Sequence, residues 1–193
     1  MTKLIKLLAA TAALTAAPLA VHAQAVPAAT IVIVNMDEVF NASTAGKQAQ
    51  TELNARLEAL RARVATATSK FNAEEQELLR TQPAQTAAAP AVNAWKAKVT
   101  DLQRRKVAEQ ESLGKADQDL GRTRQSVLRQ FGDAANPIVS TVMKERGAVI
   151  ALAEGATLQH TAGIDVTADV TARFNKSTPR LSTATPPATA AAK

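Results

Sequence analysis

Apolar side chains near the start of the chain occupy four consecutive β-branched positions, residues 31–34, and the run stops at Asn35. A short, uninterrupted run of this kind predicts a buried strand. About a hundred residues rich in Ala, Gln, Glu, Lys and Arg follow, with little β character. Because a single strand this apolar is unstable in water alone, its partners must lie elsewhere in the chain.

Residues 41–146 carry a different pattern, in which apolar side chains recur at alternating spacings of four and three residues. This is the seven-residue period of a coiled-coil seam. The pattern halts at a tip near residues 82–91, where Pro83 and Pro90 both resist a helix interior, and then resumes. Two seams of equal period joined by a short break predict a long antiparallel helical hairpin, the arm. The seam residues are Leu53, Leu57, Leu60, Val64, Phe71 and Leu78 before the break, and Trp95, Val99, Leu102, Leu113, Leu120 and Val127 after it.

β character returns only after the hairpin. Residues 148–155 predict a buried strand and residues 156–160 a shorter one, with Gly155 as the turn between them. Together with the first strand they predict a small sheet at the base of the arm, which is an α+β fold. A sheet with so few large side chains buries little area, so we expect it to be an oligomerisation body covered by other copies of the chain. The body comprises residues 31–40 and 147–175, and the residues predicted to form the interface are Ile31, Val32, Ile33, Val34, Met36, Phe40, Val149, Ile150 and Leu152.

The segments flanking this fold have their own signatures. Residues 1–23 place two lysines before an apolar stretch and small residues before a cut after Ala23, which predicts an export signal peptide. Residues 24–30 form an Ala/Pro linker. Residues 164–174 predict a short amphipathic helix that closes the body. The Pro/Thr/Ala-rich tail, residues 176–193, is predicted to be disordered.

The composition fits long helices packed through narrow seams. Four Phe, one Trp and no Tyr are the whole aromatic supply of the 193 residues, which is little bulk for a compact core of this length. Cys is absent. An exported chain without disulfides must be stabilised by packing or by oligomerisation.

Positive charge is concentrated in the arm. The whole chain has a formal net charge of +6, and residues 47–146 contain 17 Lys and Arg against 12 Asp and Glu. Basic arms attract acidic polypeptides and anionic lipid surfaces, an attraction that salt weakens. The alternative is that these charges only solvate two long helices. Nucleic-acid binding is disfavoured by the export signal and by the scarcity of aromatic stacking residues.

Two features predict a flexible part of the arm. Lys106 and Glu109 fall at seam positions, where Glu74 of the first helix could pair with Lys106. Charged seam residues specify register at some expense in stability. Gly114 and Gly121 lie seven residues apart on one helical face, and each costs about 1 kcal/mol relative to Ala in a helix. The functional interpretation is an arm that bends around polypeptides of different size.

Catalysis finds no support in the sequence. Once residues 1–23 are removed, His160 is the remaining histidine, and nothing resembles a metal site or a nucleophile with its base. We therefore expect no enzyme activity and no cofactor. His160 is predicted to be a surface residue, and Asp165 and Asp169 are predicted to cap the last helix.

The chain resembles the Skp/OmpH-like family of periplasmic chaperones. The resemblance is carried by residues 31–36 (IVIVNM) with Phe40, and by residues 149–170 (VIALAEGATLQHTAGIDVTADV). It covers residues 31–174, and the arm between matches only in kind. The Pro-containing tip and the tail after Lys176 depart from the family pattern.

The resemblance implies a periplasmic homotrimer in which three arms enclose a cavity above a small β body. It also implies a holdase that binds unfolded outer-membrane β-barrel proteins without ATP, near an anionic lipid or lipopolysaccharide surface. The family's lipopolysaccharide-binding residues have no matching positions here. The alternative is a structural coiled-coil protein of the envelope without chaperone activity.

Overall fold

A computed structural model describes residues 30–84 and 86–187 of the chain. The predicted signal peptide, residues 1–23, lies outside the described residues. Two short strands and four helices make up the fold, and no described helix has the length and hydropathy needed to cross a membrane. In chain order these are β1 (Ile31–Val34), α1 (Met36–Ala42), α2 (Thr44–Arg80), α3 (Ala89–Glu145), β2 (Ile150–Ala153) and α4 (Thr167–Ser177).

The predicted arm is formed by α2 and α3, which pack against each other. α2 has 37 residues and α3 has 57, so at about 1.5 Å per residue they extend roughly 55 Å and 85 Å. Because α3 is longer, its last turns continue into the body, where Phe131, Ala135 and Val142 are buried. The α+β fold class predicted from the sequence is confirmed.

The sheet of the body is parallel. β1 pairs with β2 in a register that places Ile31 opposite Ile150 and Val34 opposite Ala153. Parallel strands need a long crossover connection, and here the whole helical arm is that crossover. On its other side β1 meets Asp165 in a single bridge, in which the Val166 N–H donates to the Ile33 carbonyl at 2.9 Å.

The predicted strand at residues 156–160 is wrong. β2 ends at Ala153, and residues 154–156 form a 3₁₀ turn instead of a hairpin. The reason is local: both the N–H and the hydroxyl of Thr157 donate to the Glu154 carbonyl, at 2.9 and 2.8 Å, which turns the chain away from the sheet. Leu158 is then fully exposed.

A single residue, Ser43, separates α1 from α2. α1 begins directly after β1, where the Asn35 side chain accepts from the Glu38 N–H. Ser43 ends α1 and caps α2, because its hydroxyl accepts from the Gly46 N–H at 3.1 Å. A Cβ on Gly46 would lie 1.8 Å from the Phe40 carbonyl oxygen, so this close approach of two helices requires glycine.

The hydrophobic core lies in the body, where the arm meets the sheet. Phe131 is the centre of an aromatic row, with ring centroids 5.1 Å from Phe40 and 5.2 Å from Phe174, both edge-to-face. The largest fully buried side chains are Phe174, Val39, Val127, Val142 and Val170.

The tail prediction is wrong for residues 176–187, of which residues 176 and 177 are the end of α4. Leu181 and Thr183 are buried, and Leu181 joins the same apolar cluster as the core of the body. Composition predicted disorder because the segment is rich in Pro, Thr and Ala. Instead, Leu181 packs into the core and neighbouring residues of the segment form hydrogen bonds to the arm helices. The remainder of the predicted tail, residues 188–193, lies outside the described residues.

Candidate functional site

The seam between α2 and α3 is buried mainly near the body. Of the predicted seam residues, Leu53, Leu120 and Val127 are buried there, and further towards the tip Leu102 is also buried. Val64 is exposed, and the others are only half-buried. The half-buried seam residues are Leu57, Leu60, Phe71, Leu78, Trp95, Val99 and Leu113. The outer arm, residues 58–80 and 89–122, therefore presents apolar side chains that one hairpin does not fully cover.

An apolar groove of about 740 Å³ lies along the outer arm, between the two helices. Its rim includes Leu79 and Val107, which are 70% and 56% exposed. The Trp95 indole lines the same groove, and its Nε1 donates to the Leu78 carbonyl at 2.9 Å. Because that bond satisfies the one polar atom of the indole, the ring can present an apolar face. The groove suits aliphatic or aromatic side chains of another polypeptide.

Ion pairs across the arm flank the groove. Arg105 of α3 donates from both terminal nitrogens to the Glu74 carboxylate, at 3.1 Å for Nη1, and Lys106 Nζ lies 2.6 Å from Glu75. The predicted pairing of Glu74 with Lys106 is therefore wrong. Arginine at the neighbouring position reaches the same carboxylate with two parallel donors, a geometry that a lysine cannot offer.

The second charged seam residue is also paired across the arm. Glu109 accepts from Arg63 Nε at 2.8 Å and from Nη2 at 2.9 Å. Arg63 Nη2 also donates to the Ser112 hydroxyl at 2.9 Å. These bonds hold the helices in register where the apolar seam is loose.

The carboxylates of these pairs respond to their arginines. The hydrogen bond from Arg105 holds the pKa of Glu74 below its ordinary value. Asp101 also has a lowered pKa, first because Arg104 donates to it and then because Arg105 does. Both side chains are partly exposed, so water screens these pairs, and each single pair stabilises the arm only modestly.

The predicted interface residues of the body divide into two groups. Val32, Ile33 and Val34 are buried within their own chain, and Ile31, Met36, Phe40 and Leu152 are half-buried. Val149 and Ile150 are 65% and 43% exposed. Among the described residues no strand pairs with the outer edge of β2. The body therefore ends in an open strand edge that carries two exposed β-branched side chains.

His160 is more enclosed than the sequence predicted. Its side chain is 17% exposed, and Nε2 lies 3.4 Å from Glu154 Oε1. Asp165 lies at the start of α4, as predicted, and accepts from the Thr167 N–H at 2.8 Å. Within residues 30–84 and 86–187, no three His, Asp or Glu side chains are placed to hold a metal ion.

Comparison with known proteins places these features in a family context. A family model described as "Outer membrane protein (OmpH-like)" matches residues 30–174. A crystal structure from Caulobacter crescentus CB15, described as a candidate outer membrane chaperone (OmpH-like), is 18% identical with a TM-score of 0.56. The match covers 80% of this chain and 88% of that one. At this identity the likeness concerns the fold. No curated protein matches the chain.

Proposed function

The chain belongs to the OmpH-like family of outer membrane proteins, and we propose that it is an ATP-independent holdase chaperone of the periplasm. Its clients are unfolded outer-membrane β-barrel proteins. The observation that carries this proposal is the loosely covered apolar groove of the outer arm, with Leu79 and Val107 at its rim. A folded monomer rarely leaves such side chains together in water unless another chain contacts them.

Oligomerisation through the body supports the cavity that a holdase needs. The open edge of β2 and the exposed Val149 and Ile150 are suited to contact further copies of the chain. The family resemblance implies that this assembly is a homotrimer. With three bodies joined at this edge, three arms stand around a shared space, and their grooves line it.

Many weak contacts suit the holding of unfolded chains better than one enclosed site. The groove is apolar, while the surplus of Lys and Arg in residues 47–146 attracts acidic segments of a client. The same charge supports contact with an anionic lipid or lipopolysaccharide surface. Both attractions are expected to weaken as salt is raised, whereas the apolar contacts are not.

A structural coiled-coil protein of the envelope is the second candidate function. It is favoured by the cross-arm pairs of Arg63 with Glu109 and of Arg105 with Glu74, which stiffen the hairpin. A spacer of this kind would need the arm but would not bind unfolded polypeptides.

An aggregation assay separates the two functions. Residues 24–193 are mixed with a urea-unfolded outer-membrane β-barrel protein, which is then diluted into buffer without detergent or ATP. A holdase is expected to suppress light scattering fully near one trimer per client, because the client is held in the cavity one molecule at a time. Scattering that equals the rate without the protein, at tenfold excess and low salt, would overturn the proposal in favour of the spacer.

Arm flexibility depends on Gly114 and Gly121 in this proposal. Apart from the adjoining residues and the backbone of the same helix, no described atom lies within 4 Å of a Cβ at either position, so alanine fits there without a clash. The double alanine variant is expected to stabilise α3 by about 1 kcal/mol per site and to stiffen the arm. We predict that it still holds small barrel proteins but loses several-fold in affinity for large ones, measured by binding to a size series of unfolded barrels.

Gly132 provides the matched control for this experiment. It lies in α3 beside the body, and with the same exceptions a Cβ there also meets no described atom within 4 Å. Gly132→Ala brings the same gain in helix propensity but leaves the outer arm unchanged. An identical client-size range in wild type, the double variant and Gly132→Ala would refute the role of the two arm glycines.

A further inference from the structure

The segment after α4 returns to the arm instead of leaving the molecule. Residues 178–187 follow the end of α4 and contact both arm helices close to the body, beyond the residues that the family model matches. Leu181 and Thr183 are buried, while Ser182 and Ala184 between and after them are exposed. This alternation is typical of an extended chain with one face packed against a surface.

On the α2 side, one carboxylate anchors the segment. Arg180 Nη2 lies 2.8 Å from Glu52 Oε1, and the Thr183 hydroxyl donates to Glu52 Oε2. Both oxygens of Glu52 are therefore bound by the same short segment. The hydrogen bond from Thr183, followed by the charge of Arg180, lowers the pKa of Glu52.

On the α3 side, a side-chain amide pairs with the backbone of the segment. Gln130 Oε1 accepts from the Ser182 N–H at 2.9 Å, and Gln130 Nε2 donates to the Ser182 carbonyl at 3.0 Å. This reciprocal pair fixes the register of an extended chain, as a neighbouring strand would. Further along, the Thr123 hydroxyl lies 3.3 Å from that of Thr185.

We propose that residues 178–187 form a strap that clamps α2 to α3 at the base of the arm. Within six residues, 180–185, the strap bonds both helices, and Leu181 packs into the core that they share. The strap holds the two helices together next to the body. It thereby confines bending of the hairpin to the outer arm, where the seam is loose.

The test is hydrogen exchange of the arm in a chain that ends at Thr178, compared with the full chain. Ending at Thr178 keeps the residue whose N–H caps α4. Amides of residues 48–57 and 123–130 are expected to exchange about tenfold faster without the strap. In the full chain, opening of the helices there must also break the charged and neutral hydrogen bonds to the strap, and in the shortened chain it need not. Amides of residues 70–78 in the outer arm should not change. Equal exchange near the base in both chains would overturn the proposal.

A pair of matched glutamate variants keeps the test independent of truncation. Glu52→Gln removes the charge that Arg180 and Thr183 contact, whereas Glu58 pairs only with Arg61 of its own helix among the described residues. We expect the amides of residues 123–130 to exchange about threefold faster in Glu52→Gln. In Glu58→Gln their exchange rate should equal that of the wild type. The same response in both variants would contradict a clamp. These outcomes are independent of client binding, which is measured separately.

Discussion

If the chain assembles through β2 as proposed, replacing Ile150 with Asp is expected to separate the assembly into single chains that hold no client. Ile150 is half-exposed on the open edge of β2, so the folded chain tolerates the substitution. In an interface, each copy would bury an unpaired carboxylate, which costs several kcal/mol. We expect the subunit affinity to fall at least about 100-fold, measured by light-scattering mass across a dilution series, with loss of client protection in parallel.

Leu128→Asp is the matched control for this substitution. Leu128 is 52% exposed on α3, so it places the same charge on a similarly exposed apolar position away from the strand edge. This variant should keep the mass of the wild-type assembly. If Ile150→Asp also kept that mass, the edge of β2 would not be the interface, and the proposed assembly would have to use another surface.

Phe174→Ala is expected to have the largest effect on stability of any single truncation in the chain. Phe174 is fully buried at the end of the aromatic row with Phe131 and Phe40. Removing a buried phenyl ring costs about 3–5 kcal/mol and should lower the Tm by roughly 10 °C. Urea unfolding of the body, followed by near-ultraviolet circular dichroism of the phenylalanines, measures the change.

Phe71→Ala makes the same chemical change in the outer arm. Phe71 is only half-buried in the loose part of the seam, so less of its surface leaves water on folding. We expect less than half the loss seen for Phe174→Ala. Equal losses at the two positions would mean that the seam is as tightly packed as the body, which contradicts an arm held mainly at its base.

The arm and the family were predictable because their signals are local. A seven-residue period fixes which residues of α2 and α3 face each other, and the predicted family is confirmed by the match over residues 30–174. The end of β2 and the identity of the further segment that bridges to the sheet were not predictable. β2 stops at Ala153 because Thr157 bonds the Glu154 carbonyl. The further bridge to the sheet comes from Asp165, on the β1 side, and not from residues 156–160.

The partner of Glu74 and the strap were not predicted from the sequence, for different physical reasons. The partner of Glu74 was misassigned by one residue, because side-chain length and donor geometry favour Arg105 over Lys106. The strap was missed because a Pro/Thr/Ala composition indicates disorder on average. The signal that could have found it is Leu181, the single large apolar residue of a tail otherwise rich in Pro, Thr and Ala.

The mass of the complex with a client tests the central claim most directly. Residues 24–193 are mixed with one urea-unfolded outer-membrane β-barrel protein, and the product is separated by size and measured by light scattering. We predict one soluble species whose mass equals three copies of the chain and one client. A species with the mass of a single chain, eluting without the client while the client aggregates, would contradict the account.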